Sequence, residues 1–520
     1  MEGNHYIKAG RASDIAGPHD RALYRFFEIL PGFIAWTTIL GTIALARFLP
    51  VAASIFIIAF DIYWLIKTGF LSIHLRATHK EMKRRMRENW IKKLEMLPAE
   101  DFQVRVRHWS DIRHLVILPF FKEPIDVLRD SIAAIAKSDS AGQKNFILVL
   151  GVEERAGDEA LRVAKKLKEE FENNFFAFLI SIHPGSIGGE LPGKGSNETW
   201  AVKNAKKEVI DPLGIPYHEI LVSSFDVDSR VYPAYFSCLT YHYLTADRPL
   251  RSSFQPIPVY NNNIWEAPAF SRVVASSGTF WQMMQQARPE RLATFSSHSV
   301  SMAALVDMNY WHTNIVSEDS RIFWQALLWY DGDYRTVPLF YPISMDANIA
   351  PTFLKTAINV YRQQRRWGWG VENIPYLLFG FVKNKKISLR KKMFFAFNQL
   401  EGFWAWATNP FLIFLLGWLP PMIGGKEFGS SVLAHNLPSV TRIIMTLAMF
   451  GLVTSAIIST MLLPPRPSGH SVRKYFWMVL QWILVPLTIV IFGAIPGLDA
   501  QSRLMFGKYM GFWVTPKFRK

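Results

Sequence analysis

Two carboxylates one residue apart carry the strongest chemical signal in the chain. Asp226 and Asp228 close an apolar run, Glu219–Phe225, that has the pattern of a β-strand. At the carboxyl end of a strand they would face a ligand crevice, where hard oxygen ligands hold Mg²⁺ or Mn²⁺ and the ion binds a diphosphate. Because about one Asp-x-Asp arises by chance in a chain of this composition, the pattern needs support from other motifs. We predict Asp226 and Asp228 as the metal ligands.

A second Asp-x-Asp, Asp331-Gly332-Asp333, has a different context. It precedes an apolar run, Tyr334–Phe340, that is predicted to be a strand, and its central residue is glycine. Glycine at the centre of a short polar segment is typical of a turn. We therefore interpret this copy as a turn without a chemical role.

An acidic pair, Glu318-Asp319, opens a predicted helix directly after Ser317. Ser317 or Asp319 could simply cap that helix. In the functional interpretation Asp319, with Glu318 beside it, is a catalytic general base. It would take a proton from a hydroxyl that attacks an electrophilic carbon.

A Gln-x-x-Arg-Trp segment follows further along the chain. At helical spacing its Gln363, Arg366 and Trp367 share one face. Arg366 can bind phosphate oxygens in a forked geometry, and Trp367 offers a flat surface for a sugar ring. A basic juxtamembrane helix with an interfacial tryptophan has the same pattern, so this motif alone leaves both interpretations open.

The elements that must position these groups alternate between strands and helices from about Asp101 to Asn384. Such alternation predicts a doubly wound, mostly parallel sheet. The predicted strands are His114–Pro119, Phe146–Val152, Phe176–Ile182 and Glu219–Phe225, and the predicted helices are Ile125–Lys137 and Asp158–Asn173.

Composition limits the class of protein. The chain has 520 residues, of which 50% are hydrophobic and 14% aromatic, so it is too long for one ordinary domain and resembles chains with a membrane part. Its net charge of +16 suits anionic lipid, phosphorylated substrates or nucleic acid. The single cysteine, Cys238, excludes an internal disulfide and any multi-thiolate zinc or iron–sulfur site.

Apolar runs flank the α/β region on both sides. Each approaches or exceeds the roughly 20 residues that cross a bilayer. They are Ile29–Leu49 and Val51–Leu75 before the region, and Phe403–Ile423, Val440–Leu463 and Tyr475–Ile495 after it. Asp61 lies inside the second run, either against a helix partner or at a functional position.

Basic residues indicate the sidedness. They crowd the segment after the second run, which places this segment and the N-terminus in the cytoplasm and favours contact with anionic lipid over nucleic acid. The basic tail also favours the cytoplasm, yet three simple spans after a cytoplasmic domain would put it outside. Either Tyr475–Ile495 is broken near Pro486 and re-enters the membrane, or Phe394–Ile423 crosses it twice, and the sequence leaves both alternatives open.

These observations divide the chain into seven predicted parts. They are a cytoplasmic N-terminus (1–28), a transmembrane hairpin (29–75), a basic juxtamembrane segment (76–100), the α/β domain (101–384), an interfacial amphipathic helix (385–402), a C-terminal transmembrane region (403–498) and a basic tail (499–520).

The three motifs, in this order and followed by membrane spans, resemble the membrane-embedded family 2 glycosyltransferases, which include cellulose, chitin and hyaluronan synthases and ceramide glucosyltransferases. The resemblance covers about Arg113 to Trp369 with the flanking hairpin. It implies a GT-A-like domain between transmembrane helices. It also implies a Mg²⁺- or Mn²⁺-dependent, inverting transfer of a sugar from a nucleotide-diphosphate sugar, of the UDP type, to a hydroxyl acceptor, with a polysaccharide chain favoured.

The resemblance also implies a set of nucleotide-binding residues. His298 stands where the family has glycine or cysteine, and we expect it to make a structural hydrogen bond. The C-terminal Phe512–Lys517 is similar to the gating loop of cellulose synthases, although an aromatic membrane anchor with a basic tail has the same composition. The implied nucleotide-binding residues are Pro119, Glu123, Glu153, Glu154, Lys194, Asp226, Thr515 and Lys517.

Other functions remain open at this level. The same chemistry could transfer one sugar to a membrane lipid. A non-catalytic nucleotide-binding transporter or scaffold would be expected to lack the base or the metal ligands, and this sequence has both. A nucleic-acid partner is not expected, because no recognisable reading module is present. The predicted location is the plasma (inner) membrane, multi-pass, with the catalytic domain in the cytoplasm.

Overall fold

The structure is a computed structural model that describes residues 6–139, 145–414, 416–469 and 471–518. Its centre is one eight-stranded sheet. The strands are β1 (Arg113–Phe120), β2 (Phe146–Glu153), β3 (Ala177–His183), β4 (Ile220–Ser224), β5 (Arg230–Val231), β6 (Ser252–Val259), β7 (Ser299–Ser301) and β8 (Arg335–Ser344).

Helices precede, cover and follow this sheet. Before it come α1 (Pro18–Phe48), α2 (Pro50–Met86) and α3 (Trp90–Glu95). Among the strands lie α4 (Ile125–Ala136), α5 (Asp158–Phe171), α6 (Lys194–Ala205), α7 (Tyr235–Thr245), α8 (Ala269–Gln286), α9 (Met302–Asp307), α10 (Glu318–Trp329), α11 (Phe353–Gly368) and α12 (Asn373–Lys383). After the last strand come α13 (Leu389–Phe414), α14 (Leu419–Ile423), α15 (Lys426–Gly429), α16 (Val432–Ala448), α17 (Phe450–Met461), α18 (Arg473–Leu480), α19 (Val485–Ile489) and α20 (Ile495–Met505).

The sheet order is β3-β2-β1-β4-β7-β6-β8-β5. Four neighbouring pairs are parallel: β1 with β2, β1 with β4, β2 with β3, and β6 with β8. The short strands β7 and β5 run antiparallel to their neighbours, so six of the eight strands point in one direction. The predicted mostly parallel, doubly wound sheet flanked by apolar helices is confirmed.

Both faces of the sheet are covered, as the unbroken apolar strands require. In β1, Val116 and Leu118 belong to one buried cluster, and Leu115 and Ile117 belong to another. Side chains alternate between the faces of a strand, so the two clusters lie on opposite sides of the sheet. The helices α4, α5 and α7 contribute to the first cluster, and α6, α9, α10 and α12 contribute to the second.

The second half of the sheet is less evident in the sequence. The strands β6 and β7 are not predicted. Two prolines, Pro256 and Pro258, interrupt the β6 pattern, and its pairing with β8 contains an irregularity between Gln255 and Ile257. β7 has only three residues, which is too short for a periodic signal.

Within the described residues, four stretches of helix are long and apolar enough to cross a membrane: Pro18–Phe48, Pro50–Met86, Val432–Met461 and Arg473–Met505. Leu389–Phe414 and Leu416–Ile423 would form a fifth if this pair, bent by 43°, is one span. The interfacial helix expected at 385–402 and the span expected from residue 403 thus share one continuous helix, α13. The bend near Phe414 lies inside the run Phe394–Ile423, whose crossing of the membrane, once or twice, stays a prediction.

The end of the chain returns to the α/β domain. Arg25 at the start of α1 donates through Nη1 to the carbonyl oxygen of Leu504, 2.9 Å away, and the Tyr509 hydroxyl donates to Glu28 Oε2 at 2.9 Å. Lys517 then reaches a carboxylate beside the sheet. The tail therefore packs against α1 and against the α/β domain.

Candidate active site

The first Asp-x-Asp lies beyond the carboxyl end of β4. The Phe225 amide donates to the Ile117 carbonyl at 3.1 Å, so the pairing with β1 continues up to the residue directly before Asp226. Asp226 follows with 31% of its side chain exposed, whereas the Asp228 side chain is completely buried. The two carboxylates therefore differ in exposure to solvent: Asp226 is partly exposed and Asp228 is buried.

Lys194, the first residue of α6, joins the predicted motifs. Its ammonium nitrogen lies 2.8 Å from Asp226 Oδ1 and 2.8 Å from Asp319 Oδ1. Asp319 lies in the first turn of α10 and is 125 residues away in sequence. The fold therefore brings the strand end, the lysine segment and the acidic helix start within hydrogen-bonding distance of one ammonium.

The charges at this junction stabilise one another. Burial alone would lower the pKa of Lys194, but the carboxylates of Asp226 and Asp319 raise it well above its usual value. Burial would raise the pKa of Asp226, and the Lys194 ammonium more than reverses this and lowers it. Lys194 is thus a fixed cation, and Asp226 a fixed anion, near neutral pH.

Asp228 has its own lysine. Its Oδ2 accepts hydrogen bonds from Lys517 Nζ at 2.6 Å and from the Asp346 amide at 2.9 Å. Burial raises the pKa of Asp228 and the Lys517 charge opposes this. Asp346 follows the carboxyl end of β8, and its Oδ1 accepts from Asn262 Nδ2 at 2.9 Å. Sequence reasoning missed Asp346, although a carboxylate just after a strand was the signal that identified Asp226.

Two further carboxyl groups lie completely buried next to Lys194. Glu198 Oε1 is 3.6 Å from Lys194 Nζ and accepts from the Ser224 hydroxyl. Burial raises the pKa of Glu198 to about 8 and the pKa of Glu318 well above its usual value. In the described ranges each keeps one buried oxygen without a hydrogen-bond donor. Glu198 was also missed, although its position four residues after Lys194 on α6 is a recognisable spacing.

The acidic groups offer two places for a cation. Glu198, Glu318 and Asp319 present ligand atoms within 4.8 Å of one another. Lys194 contacts two of these three groups, so this cluster already contains a cation of the protein.

The predicted metal ligands also have lysine partners, Lys194 at 2.8 Å from Asp226 and Lys517 at 2.6 Å from Asp228, but they leave one buried oxygen for a metal ion. Asp228 Oδ1 is buried, and no donor in the described part of the chain reaches it. Asp226 adds a second carboxylate, whose Oδ2 accepts from the Ser296 hydroxyl at 2.8 Å. A buried carboxylate oxygen without a donor, beside a second carboxylate, is the donor chemistry that Mg²⁺ or Mn²⁺ uses.

The Gln-x-x-Arg-Trp residues lie on α11 and border the same crevice. The Trp367 ring centroid is 5.9 Å from that of Tyr260. Burial first, and then the charges of Asp226 and Asp228, raise the pKa of Tyr260, so this ring interacts with both the tryptophan and the carboxylates. Gln363 is buried and accepts from Asn348 Nδ2 at 3.4 Å. Tyr260 had no motif around it that sequence reasoning could use.

The tail covers this edge of the sheet. Phe512 packs on Gly193, where an added Cβ would lie 2.7 Å from Phe512 Cγ, and its ring is 5.2 Å from the Arg366 guanidinium carbon. Arg366 Nε is buried and has no acceptor within the described residues. Thr515 is buried, and Lys517 is bound to Asp228. The tail therefore contacts both the lysine segment and the Gln-x-x-Arg-Trp helix.

The remaining predicted nucleotide-binding residues lie at the ends of β1 and β2. Glu123 Oε2 accepts from the Phe121 amide at 2.7 Å, so this carboxylate folds back on its own loop. Glu153 accepts from Arg155, and Glu154 Oε2 accepts from the Gly185 amide at 2.7 Å.

Pro119 lies within β1, in register with Gly151 of β2. A cavity beyond β2 and β3 is lined by Glu153, Arg155, His183, Gly185 and Glu190. Its lining also includes Pro192, which precedes Gly193 and Lys194 in the chain.

His298 has the structural role expected of it. Its Nδ1 lies 2.9 Å from the Phe295 carbonyl oxygen and its Nε2 accepts from Trp311 Nε1 at 3.2 Å, which a neutral ring satisfies. Burial lowers the pKa of His298 to about 4. The ring borders Asp319 at 3.7 Å but is fully engaged elsewhere.

No family model matches the chain, and no curated protein is similar to it at a significant level. Solved structures that it is similar to are glycosyltransferases. They include the mannosyltransferase PcManGT from Pyrobaculum calidifontis in complex with GDP-Man and Mn²⁺, with 13% identity, a TM-score of 0.38, and coverage of 78% of this chain and 99% of that one.

Two further solved structures are also similar to the chain. TarS 1-349 of S. aureus has 11% identity, a TM-score of 0.28, and coverage of 67% of this chain and 92% of that one. GalNAc-T7 with UDP, GalNAc and Mn²⁺ has 10% identity, a TM-score of 0.32, and coverage of 56% of this chain and 57% of that one. Because these TM-scores are below 0.5, the function proposed below rests on the contacts of the site.

Proposed function

We propose that the protein is a membrane-bound, inverting glycosyltransferase of the family 2, GT-A type. It would transfer a hexose from a nucleotide-diphosphate sugar, a UDP-sugar by preference, to a hydroxyl of a polysaccharide chain. The observation that carries this proposal is the Lys194 ammonium between Asp226 and Asp319. Through this ammonium, Asp226, the proposed ligand of the metal ion on the diphosphate, is close to Asp319, the proposed base. A direct displacement requires these two groups near each other, which supports the proposal.

In the proposed reaction Asp319 takes the proton of the acceptor hydroxyl. The acceptor oxygen forms a bond to the anomeric carbon while the bond from that carbon to the diphosphate oxygen breaks, so the configuration inverts. The departing diphosphate carries the charge that develops, and Lys194, Lys517 and Arg366 are the cations of this chain that can balance it.

Binding of the donor would change the ion pairs of the two lysines in the site. Lys194 and Lys517 are bound to carboxylates in this structure. An incoming diphosphate would compete for both ammonium groups, which would free Asp319 to act as a base. Asp226 and Asp228 would hold a Mg²⁺ or Mn²⁺ ion, which when bound supplies positive charge to the diphosphate.

The membrane setting supports a synthase of this type with its active site in the cytoplasm. Four stretches of helix among the described residues can cross a membrane, and the tail packs against the α/β domain. The contacts of Phe512 and Lys517 support the proposal that this segment gates the donor site, as its resemblance to a cellulose synthase loop implies. A gating loop excludes water during transfer and so limits donor hydrolysis.

A direct assay tests the proposal. Membranes that contain the protein are incubated with a panel of labelled nucleotide sugars and Mg²⁺ or Mn²⁺, and lipid-soluble and polymeric products are separated. We expect label in a polymer with one donor, and none with the Asp319→Asn variant. Label in a lipid fraction alone would replace the polymer by a lipid acceptor, and no product with any donor would overturn the proposal.

A further inference from the structure

A buried carboxylate outside all of the sequence motifs holds the start of the base-bearing helix. Glu372 lies between α11 and α12 with 7% of its surface exposed. Its Oε1 accepts from the Val316 amide at 3.1 Å, the Ser317 amide at 2.8 Å and the Ser317 hydroxyl at 2.7 Å. These donors lie immediately before Glu318 and Asp319, the first residues of α10.

This contact replaces an ordinary helix cap. Ser317 is the N-cap residue of α10, but its side chain caps none of the helix amides, since its hydroxyl donates to Glu372. The amide groups at a helix start need acceptors, and a negative charge there is favourable to the helix dipole. Glu372 supplies both from another part of the chain.

The other oxygen of the same carboxylate reaches the Gln-x-x-Arg-Trp side of the site. Glu372 Oε2 accepts from the indole N–H of Trp369 at 2.8 Å. Trp369 is buried and follows Trp367 by two residues. One carboxylate thus fixes the end of α11 and the beginning of α10 relative to each other.

A second set of contacts prevents Glu372 from moving. Its backbone carbonyl accepts from Arg321 Nη2 at 3.0 Å, and Arg321 Nε donates to Asn373 Oδ1 at 2.6 Å. Asn373 Nδ2 in turn donates to the Ser320 hydroxyl at 2.8 Å. Arg321 and Ser320 both lie in the first turn of α10, so the helix start is held on two sides.

We infer that Glu372 is a positioning residue that sets the location of Asp319 for proton transfer. This inference rests on the proposed function. It assigns Glu372 no contact with donor or acceptor, because all four of its side-chain contacts are to groups of the protein. A displacement of about 1 Å at a reacting group can cost on the order of 10²-fold in rate, so a rigid support of this kind has a measurable effect on turnover.

Glu372→Gln is the informative change because every partner of this side chain is a donor. The glutamine amide keeps one oxygen for the donors of Val316 and Ser317, but its NH₂ group then faces the N–H of Trp369. Turning the amide over only moves the conflict to the other side. Trp369→Phe removes the opposing N–H, so Glu372→Gln should be less harmful in that background than in the wild type.

The first measurement separates turnover from binding. We expect Glu372→Gln to lower kcat by roughly 10- to 10²-fold, with the Kd for UDP within about twofold of the wild type. Glu372→Asp retains the charge and should recover part of the loss. The control is Tyr376→Phe, which deletes a hydrogen bond of 3.0 Å to the Ile7 carbonyl on the same buried side and leaves the contacts of Glu372 in place.

The second measurement needs no activity. Amide hydrogen exchange of the peptide spanning 314–321 reports the hydrogen bonds of Val316 and Ser317. We expect faster exchange in Glu372→Gln than in the wild type or in Tyr376→Phe. Unchanged exchange would overturn the inference whether or not the wild type transfers sugar. Faster exchange with wild-type kcat would also overturn it, whereas a wild type that is inactive with every donor would overturn the proposed function alone.

Discussion

The two Asp-x-Asp segments have the same sequence pattern and opposite surroundings. Asp226 and Asp228 follow a strand in the middle of the sheet and contact the ammonium groups of Lys194, which is buried, and Lys517, which is 15% exposed. In the other copy Asp333 contacts Arg248 and Arg251 at 2.5 Å, with more than a third of each of these three side chains exposed. The motif acquires chemistry only where the fold removes water and supplies fixed cations.

Backbone conformation separates the two copies as well. Asp331 and Gly332 have φ angles of 53° and 87°, the left-handed region that a tight turn requires. This confirms the interpretation of Asp331-Gly332-Asp333 as a turn. Carboxylates in such a turn are held by surface ion pairs, which contribute little to stability.

The largest expected effect is at Asp319, which is linked to Asp226 of the first motif through Lys194 and, within the described residues, has no counterpart beside Asp333 of the second. Asp319 shares Lys194 with Asp226. Asp319→Asn should lower kcat by about 10²–10⁴-fold with little change in UDP affinity, because the acceptor proton loses its base. Steady-state kinetics and UDP binding check this, with Asp333→Asn as the matched control. Collapse of UDP binding in Asp319→Asn would make the residue structural.

The second prediction compares the motifs directly. Asp228→Asn should reduce divalent-dependent transfer by about 10²–10³-fold, since the proposed metal ion loses a buried carboxylate ligand and with it the positive charge that it supplies to the diphosphate. Asp331→Asn should stay close to wild type. Titration of activity with Mn²⁺ or Mg²⁺, with protein level in the membrane as control, measures both. Full activity of Asp228→Asn, or undiminished activity of the wild type in EDTA, would refute the assignment.

The third prediction concerns the tail, whose Lys517 forms the ion pair with Asp228. Truncation after Met510 removes the contacts of Phe512 and Lys517 and should lower transfer by about tenfold to 10²-fold with little effect on protein level. Lys517→Met tests the ammonium alone. Lys386→Met, which removes the 2.9 Å ion pair of Asp331, is the control at the other motif. A truncated protein as active as the full chain would remove the gating hypothesis.

The smallest expected effect is on stability and has opposite signs at the two motifs. Burial raises the pKa of Glu198, beside the first motif, to about 8. Its contribution to folding is therefore fully present below the ordinary glutamate pKa and is lost as the pH rises toward 8. Melting temperatures in detergent should fall over this window, and Glu198→Gln should flatten the fall.

At the second motif the sign reverses. Although burial acts to raise it, the pKa of Asp333 is lowered by Arg251 and Arg248. Its small contribution is present above the ordinary aspartate pKa and is lost as the pH falls below it. Asp333→Asn should therefore lower the melting temperature slightly at neutral pH, and this difference from the wild type should disappear as the pH falls below the ordinary aspartate pKa. If the melting temperature of Glu198→Gln fell with rising pH as steeply as that of the wild type, the predicted difference between the two motifs would be wrong.

The sequence by itself determined the elements of the first half of the sheet and which residues are candidates for the reactive groups. The strands β1 to β4 are continuous apolar runs whose length and β-branched content are local properties, and they lie where they were predicted. The position of Asp226 after β4, the acidic pair that opens α10 and the Gln363 face of α11 follow from local spacing. The membrane helices follow from length and hydropathy.

Only the tertiary structure decided which charged groups meet. Lys194 and Asp319 are 125 residues apart, and Lys517 and Asp228 are 289 apart, so no local pattern pairs them. Glu198 and Glu372 looked like ordinary helix carboxylates until packing buried them. The reason is physical: the spacing of a motif fixes which side of one element a group occupies, whereas burial and partners depend on every element packed around it.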